Sequence, residues 1–185
     1  MDLPVFELRP SVSNRNQWFP ERPKRSEWEK LRRVILERDN HTCLGCKHRA
    51  IKYMEVHHAD EAESNDPADM RTLCPACHAV THMGLSLQHE SIEIWQSALT
   101  QVQIVQLTRQ GVQAGKSLAE INGGFDLKKG RLAPGSIDWA NNLLKRMGPE
   151  PRAELPKPLC AVFVKFQKWQ IEEMHHSIES HDHSH

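Results

Sequence analysis

The chain of 185 residues is predicted to fold as an α+β protein, with a small strand-and-helix core around a structural zinc and a mainly helical C-terminal region. Three observations lead there. Two Cys-x-x-Cys pairs, Cys43-Leu-Gly-Cys46 and Cys74-Pro-Ala-Cys77, are spaced as metal knuckles. Between them, "AIKYMEVHH" has the β-branched and aromatic content of a short strand and ends on His57 and His58. Downstream, residues 89–111 and 136–147 carry apolar side chains at helical spacing.

Taken in order, residues 1–25 hold Pro4, Pro10, Pro20 and Pro23 without sustained periodicity, which predicts an extended basic arm. Ser26 and Glu29 form a capping-box pattern, and Trp28, Leu31, Ile35 and Leu36 give the helix that follows an apolar face. That helix is expected to end near Asp39-Asn40, ahead of the first cysteine turn. The composition of "ADEAESNDPAD" is that of a loop, and "MRTL" is either a second strand or part of the lead into Cys74. Pro75 suits a first helical turn, and Gly84 can stop the helix it begins. His78 and His82, at i and i+4, share one face of that helix. The core unit so defined covers residues 26–84, followed by a helical accessory region at 85–174. Within that region Ile137, Ala140, Leu143, Leu144 and Met147 line one helix. Leu159, Val162, Phe163, Phe166 and Trp169 form the stripe of a last one. Residues 175–185, rich in histidine, are expected to be a disordered tail.

Composition narrows the function classes. Hydrophobic residues make up 38% and charged residues 26%, and no apolar run approaches the roughly 20 residues that span a bilayer. With no basic-then-apolar leader at the N-terminus, a cytoplasmic protein without a membrane role is expected. Formal net charge is zero, so overall charge does not select a partner. The distribution is uneven, however: residues 1–52 hold twelve Lys/Arg against seven Asp/Glu, and residues 53–70 hold six acids and no Lys/Arg. A basic arm therefore leads into an acidic loop that carries histidines.

Without a secretion signal the two cysteine pairs point to a metal rather than to disulfides. Each turn presents two thiolates to one ion, and two turns complete a tetrahedral zinc shell of Cys43, Cys46, Cys74 and Cys77. Cys160, within an apolar run, is expected in the core. Adjacent residues on a strand face opposite ways, so His57 and His58 are expected to have different partners. Tying the two knuckles together brings both close to His78 and His82.

The order Cys-x-x-Cys, "EVHH", "LCPACH" and a histidine four residues later resembles the HNH endonucleases of the ββα-metal superfamily, over about residues 26–84. The resemblance implies two strands and a helix gripping a catalytic divalent ion such as Mg²⁺, Mn²⁺ or Ni²⁺. His57, His78 and His82 would be its ligands, and His58 the general base. Glu55 falls on the same side of the strand as His57. Similar enzymes pair an acid there with a phosphate-binding arginine, for which Arg32, Arg33 and Arg38 are candidates. The family's middle asparagine, which braces the loop carrying the base, is matched by Asp69. A carboxylate accepts those hydrogen bonds but cannot donate the amide ones.

The function implied is metal-dependent hydrolysis of phosphodiester bonds, in DNA in preference to RNA. A role in bacterial or phage (antiviral) defence, beside a larger protein partner held by the C-terminal helices, follows only from family habit. The alternative is a catalytically weak zinc-knuckle module for nucleic-acid binding or protein interaction. Asp69 favours that alternative, whereas His57 and His58 favour the enzyme, because a purely structural zinc unit needs neither.

Overall fold

A computed structural model describes residues 6–13, 23–58, 65–132, 152–166 and 168–169. Helix and strand are mixed along the chain, as expected for α+β. In order the elements are β1 (Ser11–Ser13), α1 (Arg25–Arg38), β2 (Glu55–His58), β3 (Met70–Leu73), α2 (Pro75–Thr81), α3 (Met83–Gln88), β4 (Ile92–Gln96), α4 (Gln101–Gln113), α5 (Leu118–Gly123), β5 (Lys128–Leu132), β6 (Arg152–Glu154) and β7 (Leu159–Phe163). They form three antiparallel sheets: β1 with β6, the β2–β3 pair, and a three-stranded sheet in the order β5-β4-β7.

The region between the knuckles folds much as its sequence suggests. α1 ends at Arg38 with Asp39 as its C-cap, and "MRTL" is a strand, paired so that Glu55 faces Leu73 and His58 faces Met70. The helix start differs by two residues. Lys24 is the N-cap, and its backbone N–H donates to the Glu27 carboxylate at 3.2 Å, so Glu27 takes the place expected of Glu29. α2 begins at Pro75 but ends at Thr81, and Gly84 lies inside α3 rather than stopping a helix.

The expectation of a mainly helical accessory region is corrected. Residues 92–96 are strand β4, because "IEIWQ" alternates: Ile92 and Ile94 are buried while Glu93 and Trp95 are only partly so. α4 then starts from a Thr100–Gln103 capping box, with the Thr100 hydroxyl accepting from Gln103 N–H and the Gln103 side chain accepting from Thr100 N–H. The stripe read as a last helix begins as strand β7. Both faces of this strand are covered: Ala161 and Phe163 join one hydrophobic cluster, and Cys160 and Val162 the other. A strand buried on both faces shows no alternation, so its sequence mimics a helix segment. The helix expected at 136–147, the tail at 175–185 and the acidic stretch 59–64 lie outside the described residues.

The N-terminal arm is corrected in part. Leu8, Ser11 and Val12 are buried, β1 pairs with β6, and Arg9 forms ion pairs with Glu7 and Glu154. The larger hydrophobic cluster joins this arm to Leu36, Met54, Leu73 and Val80 of the knuckle region and to Ile92, Ile94 and Phe163 of the three-stranded sheet. The small core unit therefore shares its apolar interior with the C-terminal half.

Candidate metal centre and histidine cluster

The first knuckle follows α1. Its turn is closed by Lys47 N–H to the Cys43 carbonyl, and Leu44 N–H donates to the Thr72 carbonyl of β3 at 2.9 Å. The second begins at Cys74, whose sulfur caps α2 by accepting from Cys77 N–H, a bond matched by Cys46 N–H to Cys43 Sγ in the first. All four cysteines are buried, and their sulfurs lie within 4.8 Å of one another. Gly45 allows this approach, since a Cβ there would stand 3.0 Å from Cys77 Sγ.

The thiols are strongly coupled. Hydrogen bonds from Cys43, Cys74 and Cys77, with the charge of Arg109, hold Cys46 far below the ordinary thiol range. Burial and the neighbouring sulfurs push Cys74 and Cys77 well above it. Four sulfurs this close and this dry do not all ionise alone. A dication relieves that conflict, so this donor set could hold a zinc ion. Cys160 lies apart in β7, buried and with its thiol pushed up by desolvation, as a core residue should be.

Alongside, β2 and the α2–α3 junction bring three histidines together. His57 is almost fully buried, and its ring centre lies 5.7 Å from that of His78 and 5.1 Å from that of His82. His78 and His82 are 4.5 Å apart, and one ring nitrogen from each of the three falls within a 4.8 Å group. His82 is both C-cap of α2 and N-cap of α3, but its N–H still bonds the His78 carbonyl, so the i,i+4 relation survives the helix break.

Glu55 sits two residues before His57 on the same face of β2 and meets His78 Nδ1 at 2.7 Å. That contact occupies Nδ1 and leaves Nε2 as the nitrogen free to coordinate. Burial alone would raise the Glu55 carboxyl, but hydrogen bonding and charge from His78 and Lys168 outweigh it and bring the group to about 2. The cation beside Glu55 is Lys168, at 3.2 Å, and none of the arginines expected there. Arg32 instead donates to the Met54 carbonyl, and Arg38 is held by Asp39.

His58 points away from the other histidines and stacks on Trp28 of α1, with ring centres 6.0 Å apart and planes at 18°. The adjacent pair thus has two environments, as the strand geometry requires. Asp69 closes a one-turn 3₁₀ segment, Pro67–Asp69, just before the residue that pairs with His58. Among the described residues its carboxylate makes no hydrogen bond or ion pair. The bracing comes from Arg38, which donates to the carbonyls of Pro67 at 2.6 Å and Met70 at 2.7 Å. Buried Asp39 fixes that guanidinium and also accepts from Thr72 N–H at 2.9 Å.

Sequence reasoning missed Lys168, the Arg38–Asp39 brace, and two α4 residues on the cysteine centre, Gln106 and Arg109. Gln106 donates to the Cys46 carbonyl at 3.0 Å, and Arg109 to Cys74 Sγ at 3.1 Å. Fold and site together define a small α+β protein with a four-thiol cage beside a three-histidine cluster. No protein-family model matches the chain, and no curated protein matches it.

Proposed function

We propose that the protein is a metal-dependent endonuclease of the HNH kind, hydrolysing phosphodiester bonds in DNA, with the four cysteines holding a structural zinc. The observation that carries the reading is the histidine arrangement. Three imidazoles from two elements converge, one is oriented by a carboxylate, and the neighbouring His58 faces another way. A chain needing only a fold-supporting zinc has no use for that second constellation.

His57, His78 and His82 would hold a divalent cation such as Mg²⁺, Mn²⁺ or Ni²⁺, which supplies charge neutralisation at the scissile phosphate. Glu55 keeps His78 in the coordinating tautomer. His58, on the far side of the strand, accepts the proton of the attacking water, work suited to an imidazole at neutral pH. Trp28 fixes the plane of that ring. Lys168 takes the position that the resemblance assigned to an arginine, offering a point charge to a phosphate rather than a planar fork.

The test is cleavage of supercoiled plasmid by purified protein with each cation, with and without chelator. Cleavage that depends on the cation and disappears in a His58→Ala variant is expected, and an inactive parent with every cation would overturn the reading. The unengaged Asp69 carboxylate favours one second reading, a catalytically weak zinc-knuckle module for nucleic-acid binding or interaction. On that reading DNA is bound but not cut.

A further inference from the structure

Arg109 is an unusual residue to find against four buried cysteines. It is itself buried, at 8% exposure, on α4, an element distant in sequence from both knuckles. Its Nη2 lies 3.1 Å from Cys74 Sγ and 3.9 Å from Cys46 Sγ, one sulfur from each knuckle. The guanidinium carbon stands 4.8 Å over the ring of Trp169, which is almost fully buried. One turn earlier on the same helix, Gln106 is bonded to the Cys46 carbonyl. A charged group desolvated to this degree is costly unless it meets an opposite charge. A dication held by four thiolates leaves a net negative cluster, which supplies such a charge at the sulfurs the guanidinium touches.

We propose that Arg109 is the built-in counter-cation of the cysteine centre, and that it keeps zinc in place by hydrogen bonding the thiolates of Cys74 and Cys46. Such a bond withdraws electron density from sulfur and lowers its reactivity toward electrophiles and competing chelators. Trp169 holds the cation from its other side, and Gln106 fixes the helix register. Zinc retention and the docking of α4 are thereby coupled. The inference rests on the zinc reading of the four cysteines and is independent of nuclease activity.

The experiment uses the full chain loaded with zinc. Metal analysis of the parent first gives the zinc content, expected to be one ion per chain. A parent with no zinc overturns both the centre and this proposal. Transfer of zinc to a colorimetric chelator is then followed for Arg109→Met and Arg109→Lys. Loss of an outer hydrogen bond to a metal ligand typically costs about 10–100-fold in affinity, so the Met variant should release zinc at least about tenfold faster. The Lys variant should fall between, keeping the charge without the planar fork. Release at the parental rate in both variants would overturn the role of Arg109 while leaving the zinc centre standing.

Should the Met variant fail to fold, alkylation of the parent still decides. Cys46, at 4% exposure, is the most open of the four, the others being at 0%. Accessibility alone would therefore have Cys46 react first. Protection by Arg109 predicts that Cys43 and Cys77 are modified before Cys46 and Cys74, read by peptide mass spectrometry. Early modification of Cys46 would overturn the proposal.

Discussion

His57 and His58 are neighbours in the chain, yet one is packed against two other histidines and the other against Trp28. Their alanine variants should therefore fail in different ways. His58→Ala should keep its affinity for the second cation and lose roughly 10²–10⁴-fold in cleavage rate, the usual worth of general-base catalysis. His57→Ala should bind that cation more weakly, with partial rescue at high metal concentration. Titration calorimetry alongside plasmid cleavage separates the two outcomes. Glu55 supplies a pH test that needs no substrate. Its carboxyl falls from an ordinary 4.5 to about 2 in the folded protein, so its ionised form stabilises the fold fully above about pH 4.5. That contribution is lost as pH falls toward 2. The parent should be more heat-stable than Glu55→Gln above pH 4.5, and the gap should close on acidification. An equal gap at pH 2.5 and pH 6 would show that the ion pair does not control it.

At the scale of elements, the knuckles and the helices were legible to different degrees. The equal spacing of the two cysteine pairs picked out all four clustered thiols, because a short turn is a local structure and its chemistry is written in adjacent residues. Cys74→Ala should lose the structural zinc, while Cys160→Ala should keep it, as metal analysis would read. The C-terminal strands were hidden because β7 is covered on both faces and so lacks alternation. The start of α4 was available in the Thr100–Gln103 pattern and was overlooked. Thr100→Ala should cost about 1 kcal/mol, the usual value of an N-cap, measured as a lower urea midpoint with an unchanged slope.

The whole molecule is organised around a shared interior. Leu8 and Val12, from the stretch read as an extended arm, are buried together with side chains of the knuckle region and of the three-stranded sheet. Leu8→Ala should cost roughly 2–5 kcal/mol, as for other buried large-to-small changes. A midpoint of unfolding equal to the parent's would mean that the arm is not part of the core. The basic charge of the arm is also partly committed, because Arg9 already pairs with Glu7 and Glu154.

By itself the sequence determined the mixed fold class, the four thiols that cluster, the strand that ends in two histidines and the shared helix face of His78 and His82. Each depends on residues a few positions apart, where turn chemistry and backbone periodicity act directly. Only the tertiary structure decided what surrounds them. Lys168 reaches Glu55 across 113 positions, Arg109 reaches Cys74 across 35, and Arg38 braces the Pro67–Met70 turn across roughly thirty. Such pairings arise from how packed elements meet, and no local pattern encodes which charge will stand opposite which. Among the described residues the ion-pair partner of Glu55 beside His78 thus comes from the far end of the chain, Lys168, and not from Arg32, Arg33 or Arg38.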